Sequence, residues 1–94
     1  MKTKTTAWKV TDHLKTKEER IAYLNAALED GDAAVVSAAL GDIAKAEGMS
    51  KVSRKAKLGR ESLYKSLSAD GNAALSTFMR VIRALDINLR AACL

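Results

Sequence analysis

The chain has 94 residues, a formal net charge of +5, one cysteine and no proline, and 48% of its residues are hydrophobic but only 4% are aromatic. This length fits one small domain, and abundant alanine without proline predicts an all-α fold with an aliphatic core. No apolar run approaches the roughly 20 residues that cross a bilayer, which argues against a membrane-spanning protein. The single cysteine cannot form a disulfide within the chain, which argues against a disulfide-stabilised class. Because the sequence also shows no secretory signal, we expect a cytoplasmic protein.

The first predicted segment is an N-terminal arm, residues 1–15, in which lysine and threonine follow no sustained period. The run from Thr16 to Glu19 has the form of a capping box and predicts a helix that starts near residue 17. Gly31 can adopt the left-handed conformation that ends such a helix. The apolar side chains at helical spacing within it are Ile21, Leu24 and Leu28.

A second helix is predicted after Asp32, whose short side chain can cap it, and it ends at Gly48. Its expected inner face carries Val36, Leu40 and Ile43. Ser50 is the predicted cap of a third helix, which is short because Leu58 and Gly59 interrupt the pattern.

A fourth helix is predicted over about 60–68, with Leu63 and Leu67 on its inner side. Asp70-Gly71 predicts a turn, and Asn72 is the predicted cap of the last helix.

The last helix has an apolar stripe at regular spacing, expected to lie in the core or at a dimer interface: Leu75, Phe78, Met79, Ile82 and Leu85. The tail from Ile87 to Leu94 is apolar enough to pack or to extend as a short strand, and the sequence leaves that choice open. Residues 16–94 therefore form one predicted helical domain, with a helix-turn-helix at about 50–68.

The positive charge is concentrated in one segment. Six of the sixteen basic residues but one of the eleven acids fall between Lys51 and Lys65, so the rest of the chain carries ten of each sign. A cluster of this kind can neutralise phosphates. The fourth helix is basic on its outer side and apolar on its inner side, as a helix that reads the DNA major groove requires. The predicted DNA-binding residues are Lys51, Arg54, Lys55, Lys57, Arg60, Glu61, Tyr64 and Lys65.

The chemistry of the fourth helix suggests roles for its outer side chains. Arg60 and Lys65 can contact guanine edges or phosphates, and Glu61 can accept a hydrogen bond from cytosine N4. Tyr64 can contact a phosphate or a thymine methyl group, and its alternative role is as a partly buried packing residue. The acidic first and second helices are interpreted as ordinary surface, and a second binding face is the alternative interpretation.

Several segments resemble a known family. They are Leu24 to Asp32, Gly41 to Met49, Gly59 to Ser68 with Gly71-Asn72, and Val81 to Leu85. Together they resemble the probable addiction-module antidote proteins, which are HigA-like, Xre-type helix-turn-helix antitoxins. The resemblance implies a compact five-helix domain similar to that of lambda repressor. It also implies a homodimer that binds a palindromic operator, represses its own operon and neutralises a RelE/HigB-like ribonuclease toxin.

The turn departs from the family pattern. Members typically read Gly-Leu-Ser-Arg-Glu, whereas this chain has Lys57, Leu58 and Gly59 before Arg60 and Glu61. Lys57 is thus expected where a left-handed glycine eases the turn, and Gly59 replaces the serine that caps the fourth helix.

Two other functions remain open on the sequence: a phage-type helix-turn-helix regulator without a toxin, and an antitoxin that binds protein but not DNA. No nucleophile has a base placed beside it, so we expect no enzymatic activity. No metal or cofactor is expected, since the lone His13 has no second ligand at metal-binding spacing and the glycines are too widely spaced for a phosphate loop.

Overall fold

The structure is a computed structural model that describes residues 14–68 and 73–93, and all regular secondary structure in them is α-helical. This confirms the all-α prediction and the five predicted helices for those residues. Predictions for residues 1–13, for the Asp70-Gly71 turn and for Leu94 lie outside them. The helices are α1 (Lys17–Asp30), α2 (Ala33–Glu47), α3 (Met49–Ala56), α4 (Arg60–Ser66) and α5 (Leu75–Ala84).

The ends of α1 and the start of α2 confirm the predicted capping. The Thr16 hydroxyl accepts a hydrogen bond from the Glu19 amide at 3.1 Å, and the Glu19 carboxylate accepts one from the Thr16 amide at 2.9 Å. Gly31 ends α1 in the left-handed region at φ 80°. Asp32 then accepts from the Ala34 amide at 2.9 Å and so satisfies one of the free donors at the start of α2.

One predicted N-cap is wrong. Helix α3 begins at Met49 rather than after Ser50, because Gly48 turns the chain at φ 115° and its carbonyl accepts from the Val52 amide at 3.0 Å. Helix α5 begins at Leu75 with Ala74 in the N-cap position. The predicted cap of this helix, Asn72, lies outside the described residues.

The core lies around α3, which packs against α2, α4 and α5, while α1 packs against α2. Leu63 and Leu67 confirm the predicted inner side of the fourth helix, at 0% and 4% exposure. Gly41 lets the end of α4 approach α2 closely, since a Cβ atom built on it would lie 2.3 Å from the Leu67 carbonyl oxygen. The other core side chains include Leu14, Leu24, Leu40, Ile43, Met49, Val52, Ala56, Val81, Ile82 and Leu85.

Four apolar residues of the predicted stripes are exposed in this chain. Ile21 and Leu28 are 37% and 41% exposed, because Leu24 and Ala27 are the residues of α1 that are buried in the core and Ile21 and Leu28 lie at the edges of this apolar face. On α5, Leu75 and Met79 are exposed while Val81 and Ile82 are buried. Spacing identifies an apolar face, but it does not tell which edge of that face meets another helix.

Residues 87–93 have no regular secondary structure. The Ile87 amide donates to the Ile82 carbonyl at 3.1 Å, and Ile87 and Leu89 pack against the core. The tail is thus held against the helices and, in its described residues, is not paired as a strand. Among residues 14–68 and 73–93, no helix is long and apolar enough to cross a bilayer.

Candidate nucleic-acid interface

Helices α3 and α4 are joined by Lys57, Leu58 and Gly59, and we call residues 49–66 the α3–turn–α4 unit. Lys57 adopts the left-handed conformation, with φ 58° and ψ 46°, as the displaced glycine in the sequence predicted. Gly59 stands at the N-cap of α4 without a side-chain cap, which agrees with the loss of the family serine. Lys57 thus adopts a conformation that glycine reaches at lower cost.

Hydrogen bonds from within the α3–turn–α4 unit and from α5 hold this turn. The Leu58 amide donates to the Ser53 carbonyl at 3.1 Å, and the Ser53 hydroxyl donates to the Leu58 carbonyl. From α5, the Arg80 guanidinium donates to the Lys57 carbonyl at 3.0 Å. These contacts compensate for the cost of a side chain at φ above zero and fix where α4 begins.

Arg80 is a residue that the sequence analysis missed. It is 23 positions from Lys57 along the chain, and no local spacing links the two. The spacing of the apolar residues in α5 predicts only that Arg80 is a cation facing outward. The contact becomes visible once α5 is packed on α3.

The outer face of α4 carries the side chains predicted to read bases. Arg60, Glu61, Tyr64 and Lys65 are exposed, while Leu63 behind them is fully buried. Tyr64 is 43% exposed, so it lies outward as expected rather than inside the core. An open depression on this face is lined by Glu61, Ser62, Tyr64, Lys65 and Ser68.

Arg60 and Tyr64 interact within this face. The Arg60 guanidinium carbon lies 5.8 Å from the centre of the Tyr64 ring, within the range of a cation–π contact. The two residues are one helical turn apart, where side chains meet. No ion pair joins Arg60 or Lys65 to an acid in the part of the chain that the structure describes. Their charges are therefore available to a ligand.

The cations of α3 fall into two groups. Lys51 and Lys55, one turn apart, form ion pairs with Glu47 at 2.8 Å and with Asp86 at 3.4 Å. Arg54 and Lys57 are exposed and, within the described ranges, take part in no ion pair. All eight predicted residues thus lie at the surface, but two already have acidic partners.

Each of those acids is shared with a second cation. Glu47 also contacts Arg20 of α1, and the hydrogen bond from Lys51 outweighs burial to hold the pKa of Glu47 below its usual range. Asp86 also contacts Lys17 at 3.6 Å, and the charge of Lys55 contributes most to lowering its pKa. Because one acid serves two cations, each cluster keeps a net positive charge.

Metal-ligating residue types do not cluster in the described part of the chain. Within 14–68 and 73–93, no group of three or more His, Cys, Asp or Glu side chains could hold a metal ion. Cys93 is exposed and free. His13 lies outside the described residues.

Comparison with known proteins adds a family match over almost the whole chain. Residues 4–93 match the model of a family described as probable addiction module antidote protein. The chain is also similar to an uncharacterized protein of Haemophilus influenzae, with 42% identity over 81 residues, which are 86% of this chain and 84% of the relative. No solved structure gives a significant match.

Proposed function

This chain belongs to the family of probable addiction module antidote proteins, and from that premise we propose that it is a HigA-like, Xre-type antitoxin that also represses its own operon. In this proposal it neutralises a RelE/HigB-like ribonuclease toxin by direct binding, without catalysis. It binds a palindromic operator as a homodimer in the cytoplasm through a helix-turn-helix formed by the α3–turn–α4 unit.

The observation that carries the DNA-binding part is the outer face of α4. Two cations without acidic partners among the described residues, Arg60 and Lys65, stand on a helix whose opposite side is fixed in the core by Leu63. A helix held in this way can enter a major groove without moving against its own domain. The hydrogen bonds of the turn before it support the position of Arg60 at the start of α4.

The remaining cations have a graded role in this proposal. Arg54 and Lys57 contact phosphates directly. Lys51 and Lys55 contribute less to phosphate binding because they already form ion pairs with Glu47 and Asp86. Phosphate contacts position the domain, and the α4 side chains supply the sequence preference. Arg80 acts indirectly by holding the Lys57 carbonyl.

Gel-shift titration tests DNA binding with duplex DNA from upstream of the chain's own operon and with random duplex of equal length. We expect Arg60→Ala and Lys65→Ala each to weaken specific binding about 10- to 100-fold, the range for loss of a good base contact. Lys45→Ala is the matched control, since it removes an equal charge from an exposed site on α2. Equal affinity for both duplexes, or an equal effect of all three substitutions, contradicts the proposal.

The same titration separates the proposal from a purely protein-binding antitoxin, which would form a tight toxin complex without shifting DNA. Its slope against salt concentration counts the neutralised phosphates. If the protein binds as a homodimer to half-sites about 34 Å apart, an operator with a half-turn insertion between its half-sites should bind more weakly.

Co-purification with the product of the adjacent gene tests the toxin partner. Absence of a complex would favour the phage-type regulator.

A further inference from the structure

A contact on the outer face of α4 joins the first residue of this helix to a residue one turn later. The Arg60 guanidinium carbon lies 5.8 Å from the centre of the Tyr64 ring. Side chains of a helix lean toward its N-terminus, so the ring of Tyr64 covers the turn that begins at Arg60. Tyr64 also lines the open depression on the same face. The ring therefore lies against Arg60 and at the surface proposed to meet DNA.

The surroundings of Arg60 offer its guanidinium few other partners. Gly59, which precedes it, has no side chain, and the free backbone groups at the start of α4 are N–H donors that cannot accept from a cation. Among the described residues, no acid forms an ion pair with Arg60. A long side chain without a contact samples many rotamers, and their loss on binding weakens a complex. The Tyr64 ring is thus the contact that restricts Arg60 before DNA arrives.

The chain holds Lys51 in a different way. Lys51 forms an ion pair at 2.8 Å with Glu47, four positions earlier. A carboxylate restricts a cation but also offsets its charge, which leaves less attraction for a phosphate or a base. An aromatic ring attracts a cation through its quadrupole and has no net charge. The contact with Tyr64 therefore restricts Arg60 and leaves its full charge for a ligand.

We propose that Tyr64 is a positioning residue for DNA recognition, whose ring holds the Arg60 guanidinium in the orientation that contacts a base. An arginine that binds guanine O6 and N7 must align two N–H groups at once, so a base contact depends on orientation more than a phosphate contact does. This inference rests on the DNA binding proposed above. The competing role for Tyr64 is a direct contact from its hydroxyl to DNA, which would not depend on Arg60.

A double-substitution cycle tests the proposal. Fluorescence anisotropy measures binding of the purified chain to labelled duplex from upstream of its own operon and to random duplex. We expect Tyr64→Leu to weaken specific binding about 3- to 10-fold, while binding to random duplex stays within about twofold. Tyr64→Phe should recover the affinity that Tyr64→Leu loses, because the ring is restored.

The second arm of the cycle asks whether Tyr64 acts through Arg60. In an Arg60→Ala background, Tyr64→Leu should cost less than about twofold, since the residue that the ring positions is gone. Lys65→Ala is the matched control background, because it removes an equal charge from the same exposed face. Tyr64→Leu should keep its full effect there.

Nuclear magnetic resonance tests the contact without DNA. The ring current of Tyr64 should shift the side-chain protons of Arg60 upfield in wild type and in Tyr64→Phe, and the shift should disappear in Tyr64→Leu. Equal Arg60 shifts in all three proteins would overturn the proposal. Far-UV circular dichroism should remain helical in each variant, since Tyr64 is 43% exposed and leucine favours helices.

The outcomes separate this inference from DNA binding itself. If wild type binds both duplexes equally, sequence-specific DNA binding and the positioning role are both refuted. If wild type discriminates but Tyr64→Phe binds as weakly as Tyr64→Leu, the hydroxyl contacts DNA directly, and the positioning role alone is overturned. An equal cost of Tyr64→Leu with and without Arg60 has the same meaning.

Discussion

Replacing Lys57 with glycine should stabilise the protein relative to replacing it with alanine. Residue 57 has φ 58° and ψ 46°, a conformation that costs about 1–2 kcal/mol for a residue with a Cβ atom and little for glycine. The greater freedom of glycine in the unfolded chain offsets about 0.4–1 kcal/mol of this gain. We therefore expect Lys57→Gly to exceed Lys57→Ala by about 0.5–1 kcal/mol in free energy of unfolding. Both variants lose the same charge, so their difference isolates the backbone conformation.

Urea denaturation followed by circular dichroism at 222 nm measures this difference, and thermal melting should show a gap of about 2–8 °C for a domain of this size. The control is the pair Lys55→Gly and Lys55→Ala within α3, where glycine should instead be less stable by about 0.5–1 kcal/mol. If Lys57→Ala proved as stable as Lys57→Gly, or if both pairs changed in the same direction, the left-handed turn would store no strain and our account of its bracing would be wrong.

Three further predictions concern contacts that position the site. Gly41→Ala should destabilise the protein by about 1–3 kcal/mol in thermal denaturation despite the better helix propensity of alanine, because the new Cβ would lie 2.3 Å from the Leu67 carbonyl oxygen; an unchanged melting temperature would contradict the close approach. Arg80→Ala should lose about 0.5–1.5 kcal/mol in urea denaturation through its hydrogen bond to Lys57, and Arg80→Gln should recover part of the loss if its amide reaches the same carbonyl. Equal losses in both variants would indicate packing rather than hydrogen bonding. The lowered pKa of Glu47 means that its stabilisation is complete above the ordinary value of 4.5 and is lost as the pH falls through the lower folded value. Melting across pH should therefore show Glu47→Gln less stable than wild type at neutral pH, with a gap that closes in acid; a gap independent of pH would refute this linkage.

Several helix ends were predictable because their signals are local. The capping box at Thr16, the cap at Asp32 and the left-handed Gly31 each involve residues within a few positions of one another. The left-handed Lys57 was also predictable, since the family pattern has glycine there. The cap at Ser50 failed because Gly48 lets the chain enter α3 earlier.

Burial was less predictable, since periodicity does not show where a neighbouring helix crosses. Leu24 and Leu28 are equivalent in the sequence pattern, yet Leu24 is 2% exposed and Leu28 is 41% exposed. The candidate DNA face was predicted as a set of exposed residues. Which of these residues already have acidic partners was not predicted, because Glu47 lies in α2 and Asp86 lies just after α5.

The ion pair between Lys17 and Asp86 spans nearly the whole described chain, whereas most other contacts of α1 are with the neighbouring helix α2. Closing so long a loop has an entropic cost that only an already assembled core can offset, so this pair should form late in folding, after α1 has met α2 and α3 has met α4. Interactions made after the transition state slow unfolding and leave the folding rate almost unchanged. The exposed charges around Asp86 are thus expected to affect how long a folded antidote molecule lasts rather than how quickly a new one forms, and their influence should decline as salt screens them.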